Sequence, residues 1–374
     1  MPDISESVVI IMGKIVFGKT EATSVVVNML CLKLFLSAPV PQIVYGRQAA
    51  ALLNLAVYLL FGVVFYLIIH LTEKSGNSEL SLINQVGKSF GRGAKAIAGI
   101  IYAAFFALSG ALYLISNSNN SIHDQYVGQS KGFIIAGIII AAVFLAYKGI
   151  ETVVRIHSAI FFLIVIFIAV VAVPLTGFVS PINLFPILGN GIRVMSKGLL
   201  PSLSMFWEFV LLLMIVPYLG GAKHVKKTFV SGYGISFVLY SVLLLFYTMI
   251  VPGNVHEYID NPVAYMLGFA GFGAYISRVE SIMLFVISIS VMLYTATMIY
   301  FSCTALKEAF SLTYYKPLVL SVGGILFMVF WIDINSEVFT IISEAVWRYG
   351  AVIGMLIPLL IAFFGIKKSN KRLN

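Results

Sequence analysis

Apolar residues fill long blocks of this chain, and short clusters of polar and charged residues separate the blocks. A helix that crosses a bilayer needs roughly 20 predominantly apolar residues. Ten blocks approach or exceed that length, so the pattern predicts ten membrane-spanning helices joined by mostly short loops. Their approximate bounds are 22–40, 47–71, 96–116, 132–147, 152–176, 198–219, 228–251, 279–306, 317–332 and 339–366.

Composition strengthens this interpretation. Apolar residues make up 60% of the 374 positions and charged residues only 10%, whereas a soluble domain carries roughly 25% charged residues. The surplus apolar surface must face lipid, and ten helices leave no room for a soluble catalytic domain. We predict an all-α integral membrane protein with one permease-like membrane domain over 20–366, an N-terminal cytoplasmic tail over 1–19 and a basic cytoplasmic tail over 367–374.

Lysine and arginine are distributed unevenly between the predicted loops. A ten-helix topology with a cytoplasmic N-terminus places 17 of the 24 basic residues on the cytoplasmic side, five on the outer side and two within helices. Loops on the cytoplasmic side of membrane proteins carry an excess of Lys and Arg. Both termini are therefore predicted to be cytoplasmic. Contact with anionic lipid accounts for the net charge of +9 without nucleic acid.

Four charged side chains stand out within the predicted helices: Lys33, Glu208, Glu344 and Arg348. Ionisable groups in lipid are costly, and they usually pair or line a cavity. Glu344 and Arg348 are four positions apart on one helix face, which favours an intrahelical ion pair. Lys33 and Glu208 have no opposite charge nearby on their own helices, so the simplest hypothesis is contact across the bundle centre. The alternatives are a Lys33 that snorkels to an interface and a protonated Glu208.

Proline marks the first and sixth predicted helices. Pro39 and Pro41 end the first, and Pro201 and Pro217 bracket the sixth. Proline removes a backbone donor and so frees carbonyl groups, and broken helices at matching positions of two halves point to a transporter site. Because each of these helices begins a set of five, we predict a 5+5 inverted repeat. The alternative, simple capping at the interface, is favoured for Pro41 and Pro217.

Signatures of catalysis are missing from the sequence. It contains no nucleophile elbow, no HExxH pair and no phosphate-binding glycine loop. Cys31 and Cys303 lie in predicted helices without metal-ligand spacing, which indicates small packing residues. We therefore expect neither enzyme activity, nor a metal, nor a cofactor.

Three stretches resemble a known family. They are Leu145–Ile156, the block from Asn183–Gly189 through Pro201 to Pro217, and Pro262 with Ser277–Glu280. They are similar to the helix 4–5 junction, the outer loop with helix 6, and the entry to helix 8 of spore germination receptor permease subunits. These are the GerAB-like B subunits of the amino acid–polyamine–organocation superfamily. The resemblance runs from about residue 20 to the end of the chain.

The resemblance implies a LeuT-like bundle whose discontinuous helices 1 and 6 surround a central site. It implies nutrient sensing in the spore inner membrane, together with an A-type subunit and a lipoprotein C-type subunit. An amino acid is the expected ligand. One departure is that no glycine lies between Lys19 and Gly46, where the family often carries one. The expected ligand-binding residues are Asn28, Lys33, Ser37, Ser109, Tyr113, Ser202, Ser204, Glu208 and Ser290.

Three functions stay open from the sequence, because a fold does not fix a function. The first is a germinant receptor subunit, which senses a solute on a permease scaffold. The second is a proton- or cation-coupled amino-acid transporter, in which Glu208 or Lys33 is the coupling group. The third is a structural membrane partner whose permease site has decayed.

Overall fold

The protein was analysed as a computed structural model. The structure describes residues 17–36, 40–118, 131–253, 255, 259, 262–270, 279–331 and 336–373. Every secondary-structure element within these ranges is helical. The α-helices are α1 Lys19–Leu36, α2 Val40–Gly46, α3 Ala50–Lys74, α4 Leu82–Phe90, α5 Arg92–Asn117, α6 Lys131–Lys148, α7 Ile150–Leu175, α8 Ile192–Ser204, α9 Val210–Met214, α10 Ala222–Ile250, α11 Pro262–Leu267, α12 Val279–Ala309, α13 Lys316–Trp331, α14 Ser336–Ala351 and α15 Ile357–Leu373.

Each of the ten predicted segments overlaps a described helix, which confirms their helical character. Three bounds differ clearly: α8 begins at Ile192 and α10 at Ala222, both earlier than predicted, and α15 continues to Leu373 through the segment predicted as a basic tail. Most of the predicted N-terminal tail lies outside the described residues. The number of spans and the inverted repeat stay predictions.

Seven helical stretches of the described chain are long and apolar enough to cross a membrane. Helices α6 and α13 are shorter but also apolar. The seven are Val40–Lys74, Arg92–Asn117, Ile150–Phe178, Ile192–Met214, Ala222–Ile250, Phe285–Ala309 and Val338–Lys367.

The outward faces of these helices are apolar. On α7, Phe162 is 64% exposed and Ile166 60%, and Val63 of α3 is 69% exposed. Soluble proteins rarely expose large contiguous apolar patches. Surfaces of this kind require lipid, so the exposed residues and the helix lengths together indicate a membrane protein.

Helices α5 and α12 pack against each other along the centre of the bundle. Glycine permits their close approach: a Cβ on Gly99 would lie 2.9 Å from the Ala305 carbonyl oxygen, and one on Gly110 would lie 3.2 Å from Met298 Cβ. Small residues at helix contacts are typical of membrane bundles, where packing rather than the hydrophobic effect drives association. Two points of close contact therefore hold α5 to α12.

Helix α14 crosses the sixth predicted segment just as closely. A Cβ on Gly350 would lie 2.9 Å from the Ser204 carbonyl oxygen, and one on Gly354 would lie 2.7 Å from Trp207 Cα. Gly354 belongs to a π-helical turn, Val352–Leu356, that separates α14 from α15. π-turns within helices frequently occur at functional sites. Here the turn lies against the region where the sixth segment is interrupted.

The predicted ion pair between Glu344 and Arg348 is not formed in the structure. Both side chains are exposed on α14, and they do not come within salt-bridge distance of each other. An exposed pair at this spacing contributes only about 0.2–0.5 kcal/mol. Spacing alone does not decide whether such a pair forms, since the exposed Glu151 and Arg155 form one at the same spacing on α7, and for Glu344 and Arg348 the prediction was wrong.

A short amphipathic helix that the sequence analysis missed, α4, lies between α3 and α5. It buries Leu82, Ile83 and Val86 and exposes Lys88 and Phe90. This apolar spacing is typical of a helix with one buried face. The segment was overlooked because it is too short to span a bilayer.

The contact at Gly354 gives a stability prediction. Gly354→Ala should destabilise the protein by about 1–3 kcal/mol, because its methyl group overlaps the Trp207 backbone, which has no free side-chain end to move aside. Gly324→Ala in α13 is the matched control, since its methyl group meets no atom within 4 Å, and it should be neutral or slightly stabilising. Thermal unfolding of both purified variants in detergent measures the difference. Equal melting temperatures would contradict the predicted contact.

Candidate functional site

The sixth predicted segment is interrupted in its middle. Helix α8 ends at Ser204, and the chain then passes through Met205 and Phe206 into a 3₁₀ turn, Trp207–Phe209, before α9 begins. Pro201 lies inside α8, so the break comes four residues after the proline rather than at it. The predicted discontinuity of this segment is therefore observed, although its position is shifted.

The break leaves one carbonyl without its usual helical partner. In a regular helix the Phe209 amide would donate to the Met205 carbonyl. Here it donates to the Phe206 carbonyl at 3.1 Å. The Met205 oxygen instead accepts a hydrogen bond from Lys33 Nζ at 2.7 Å. The interruption thus creates an acceptor for an ammonium group in the bundle interior.

Lys33 and Glu208 form the ion pair that the sequence suggested. Lys33 Nζ lies 2.5 Å from Glu208 Oε2, and both side chains are buried. The second carboxylate oxygen, Oε1, accepts a hydrogen bond from the Tyr294 hydroxyl of α12 at 2.9 Å. A buried charge needs both a counter-charge and hydrogen bonds. This arrangement supplies both, so contact across the bundle centre is confirmed.

Aromatic rings surround the ion pair. The Lys33 ammonium lies 5.4 Å from the centre of the Trp207 ring, a distance at which the ring face attracts a cation. Trp207 packs edge-to-face on Phe105 at 4.6 Å and stacks on Phe106 at 5.9 Å. The Tyr113 ring lies 4.5 Å from the Tyr294 ring. These contacts exclude water from the pair and link it to α5.

A small cleft adjoins this aromatic group. Its lining includes Ser109 and Tyr113 of α5, Trp207 of the break, and Phe339 and Ser343 of α14. Its volume is about 20 Å³, which is room for little more than one water molecule. The Ser109 hydroxyl is buried without a hydrogen-bond partner among the described residues. A buried polar group of this kind is costly unless something else binds to it.

Asn28 belongs to a different polar cluster. Its amide donates to the His157 carbonyl of α7 at 2.6 Å and lies 3.4 Å from His157 Nδ1. His157 Nε2 is in turn 3.0 Å from the Thr297 hydroxyl of α12. This cluster joins α1, α7 and α12 one to two helical turns before Lys33. Asn28 is therefore not part of the ion-pair site.

The predicted serines have different surroundings. The Ser204 hydroxyl accepts from the Ala351 amide at 3.0 Å, which fixes α14 to the end of α8. Ser290 donates to the Val286 carbonyl of its own helix at 2.8 Å. The Ser202 hydroxyl is buried and has no hydrogen-bond partner in the part of the chain that is described. Ser37 lies outside the described residues. The ligand-binding role of all these residues stays a prediction.

Among the side chains of the site that were not anticipated are Tyr294, Phe339 and Ser343. Tyr294 lies one helical turn after Ser290 on the same helix face, so the sequence already placed its hydroxyl on the side of α12 that was expected to face the site. Phe339 and Ser343 share one face of α14 at i and i+4, beside the charged residues Glu344 and Arg348 that stand out in the sequence. The role of the Met205 carbonyl could not be predicted, because a backbone carbonyl belongs to every residue and is not marked by residue type.

The fold and the site together indicate the class of protein. Long apolar helices, a buried ion pair at a helix interruption and an adjoining polar cleft are typical of a permease-type membrane protein. The family model described as spore germination protein matches residues 47–339, so the chain belongs to the spore germination permease family. Glu208, Tyr294 and the α5 residues of the cleft lie inside the match, and Lys33 lies before it. A search of curated proteins finds no match.

The ion pair gives a second prediction. Lys33→Met and Glu208→Gln should each destabilise the fold by about 3–5 kcal/mol, because each leaves the other charge buried and unpaired. The double variant should lose clearly less than the sum of the two. A double-mutant cycle on the free energy of unfolding in detergent measures this coupling.

The matched control is the exposed pair of Glu151 and Arg155, whose charged atoms lie 2.6 Å apart on α7. Its coupling should not exceed about 1 kcal/mol, because water and salt screen exposed charges. Additive losses for Lys33→Met and Glu208→Gln would show that the buried pair does not act as a unit.

Proposed function

We propose that this protein is a germinant receptor subunit that signals germination when a small solute, an amino acid, binds beside the Lys33–Glu208 pair, in a state of the protein whose cleft is wider than the water-sized cleft described above. The family gives the process in which the protein takes part, because its members are described as spore germination proteins. The observation that carries the proposal is the buried ion pair at the break after α8. Ionisable residues inside a membrane protein are costly, and they usually mark a functional site.

Charge complementarity supports an amino acid as the ligand. A zwitterion presents an ammonium, which needs anionic or carbonyl acceptors, and a carboxylate, which needs donors. Glu208 and the Met205 carbonyl are acceptors, and Lys33 is a cationic donor. The Ser109 hydroxyl can serve in either role. Both halves of the zwitterion therefore find matching groups within one part of the bundle.

The position of the cleft agrees with sensing from outside the cell. Ser109 and Tyr113 lie in the second half of α5, whereas its first turn carries Arg92 and Lys95. We infer that the basic ends of the helices face the cytoplasm, with both termini there, so the cleft lies toward the outer side. In this proposal the spore inner membrane is the location, and A-type and lipoprotein C-type subunits are the partners that receive the signal.

A germination assay tests the ligand site. Ser109→Ala and Tyr113→Phe each remove one hydroxyl from the cleft, and each should raise the germinant concentration for half-maximal germination about 2- to 10-fold, the effect of one lost hydrogen bond. Spores that carry each variant as their sole copy are scored by loss of refractility. Ser236→Ala is the matched control, because its buried hydroxyl donates to its own helix in α10, at 2.7 Å from the Gly232 carbonyl, and it should not change the dose response.

Protein amounts in the spore membrane must be equal across the series. If neither cleft variant changes the dose response at equal amounts, the amino-acid site is excluded. If the protein were nevertheless required for germination, it would be a structural membrane partner whose permease site has decayed.

A second function, proton- or cation-coupled amino-acid transport, is favoured by the same ion pair, because intramembrane carboxylates and lysines often carry coupling protons. Purified protein in liposomes separates the two functions. Saturable uptake of labelled amino acid, lost in Glu208→Gln, would establish transport, whereas binding without uptake would support sensing. Neighbouring genes for an A-type subunit and a lipoprotein would also favour sensing.

A further inference from the structure

A basic cleft lies where α5 begins and α12 ends, far from the Lys33–Glu208 pair along both helices. Its volume is about 680 Å³, within the range of ligand pockets. No acidic side chain of the described chain lines it. We call it the α4–α5 cleft. Its lining includes Asn84, Lys88, Arg92, Lys95, Phe310 and Ser311.

Among the described residues, the cations at the α4–α5 cleft outnumber the carboxylates near them. One carboxylate near the cleft, that of Glu308 of α12, accepts a hydrogen bond from the Ser81 hydroxyl at 2.5 Å. Both Lys95 and Lys307 lie near Glu308, so this one carboxylate is shared between a lysine of the cleft and a lysine outside it. The three cationic side chains that line the cleft therefore leave a net positive site.

Two of these cations are held in place by the protein. Lys88 Nζ donates to the Gly76 carbonyl at 3.2 Å. The aliphatic part of Lys95 lies across α4, where a Cβ on Gly87 would come within 2.8 Å of its Cδ atom. Gly87 thus provides the space for the Lys95 side chain. A cation with a fixed position binds an anion with a smaller entropic loss than a mobile one.

One exposed aromatic side chain, Phe310, lines the cleft, and a second, Phe90, is the last residue of α4. Phe310 is 54% exposed and Phe90 is 47% exposed. Phe90 also contacts Phe364 of α15 edge-to-face, with the ring centres 5.5 Å apart. Exposed aromatic rings next to lysine and arginine are typical of the headgroup layer, where rings meet acyl chains and cations meet phosphates. This distinguishes the cleft from a site for a free anion, which needs no apolar border.

A second basic cleft serves as a contrast. Lys19, Lys223, Lys226 and Lys227 line it together with Glu73. The Lys226 ammonium lies 3.8 Å from Glu73 Oε2 and 4.4 Å from the centre of the Tyr66 ring. Here the protein supplies both a counter-ion and a ring face of its own. The two clefts therefore match in the net charge of their lining, but the ring of the second cleft, Tyr66, is already in contact with Lys226.

We propose that the α4–α5 cleft binds the phosphate of an anionic phospholipid headgroup, with Lys88, Arg92 and Lys95 around the phosphate and the lipid chains against Phe90 and Phe310. Basic pockets between membrane helices recognise anionic headgroups in this way. The occupied cleft would connect α4, α5 and the end of α12 through one lipid.

The test is lipid binding to the purified full-length protein in detergent, measured by native mass spectrometry. The probes are phosphatidylglycerol, phosphatidylcholine and inorganic phosphate. Wild type should retain phosphatidylglycerol and not phosphatidylcholine, with phosphate competing only weakly. The variant with Lys88→Gln, Arg92→Gln and Lys95→Gln should lose about fivefold in affinity for each charge removed, on the order of 100-fold in total.

The matched control removes three charges from the second cleft, through Lys223→Gln, Lys226→Gln and Lys227→Gln. It has the same net charge as the first variant and should keep near wild-type affinity. Equal losses in both triple variants would overturn the proposal, because they would indicate general attraction to a basic surface. Equal affinity of the wild-type protein for phosphate and phosphatidylglycerol would also overturn it, in favour of a free anion.

Gly87→Ala keeps the assay decisive if the first triple variant does not fold. It retains every charge but displaces the Lys95 side chain, so the affinity for phosphatidylglycerol should fall severalfold. Unchanged affinity in Gly87→Ala would show that the position of Lys95 does not matter, which contradicts the proposed site.

Discussion

The ammonium group of Lys33 sets the strongest constraint on this structure. A charge in the interior of a membrane bundle must be neutralised and hydrogen-bonded, or the fold is strongly destabilised. Glu208 provides the counter-charge, and the interruption after α8 provides the Met205 carbonyl. A straight sixth helix would use that carbonyl internally. The break, which looks like a defect in the helix, is therefore part of the solvation of Lys33.

The surroundings of the break follow from the same constraint. An interrupted helix exposes backbone groups that water cannot reach in a bilayer. Helix α14 covers them closely, and this requires glycine at positions 350 and 354. The π-turn at Val352–Leu356 also frees the Ile353 carbonyl, which accepts from the Tyr102 hydroxyl of α5 at 2.9 Å. The break after α8 and the π-turn are therefore packed against each other, and the backbone groups that they free are covered or hydrogen-bonded by neighbouring residues.

Much of the fold could be predicted from apolar block length, because a bilayer demands long apolar helices. The contact of Lys33 with Glu208 was also within reach, since neither has a counter-charge on its own helix. The hydroxyl groups were not predictable. Ser109 and Ser290 look alike in the sequence, yet one lines the cleft and the other bonds to its own helix. Serine in a helix readily bonds to the carbonyl four residues back, and only tertiary packing decides between the two outcomes.

The Met205 carbonyl and the Glu208 carboxylate have one further consequence. Lys33 is attached to the same chain, so its ammonium is present at these acceptors at an effective concentration on the order of millimolar or above. Any free ammonium that uses them must displace a competitor that never diffuses away. The affinity measured for such a solute is therefore a difference between two binding energies, and a change at Lys33 alters it without touching the solute.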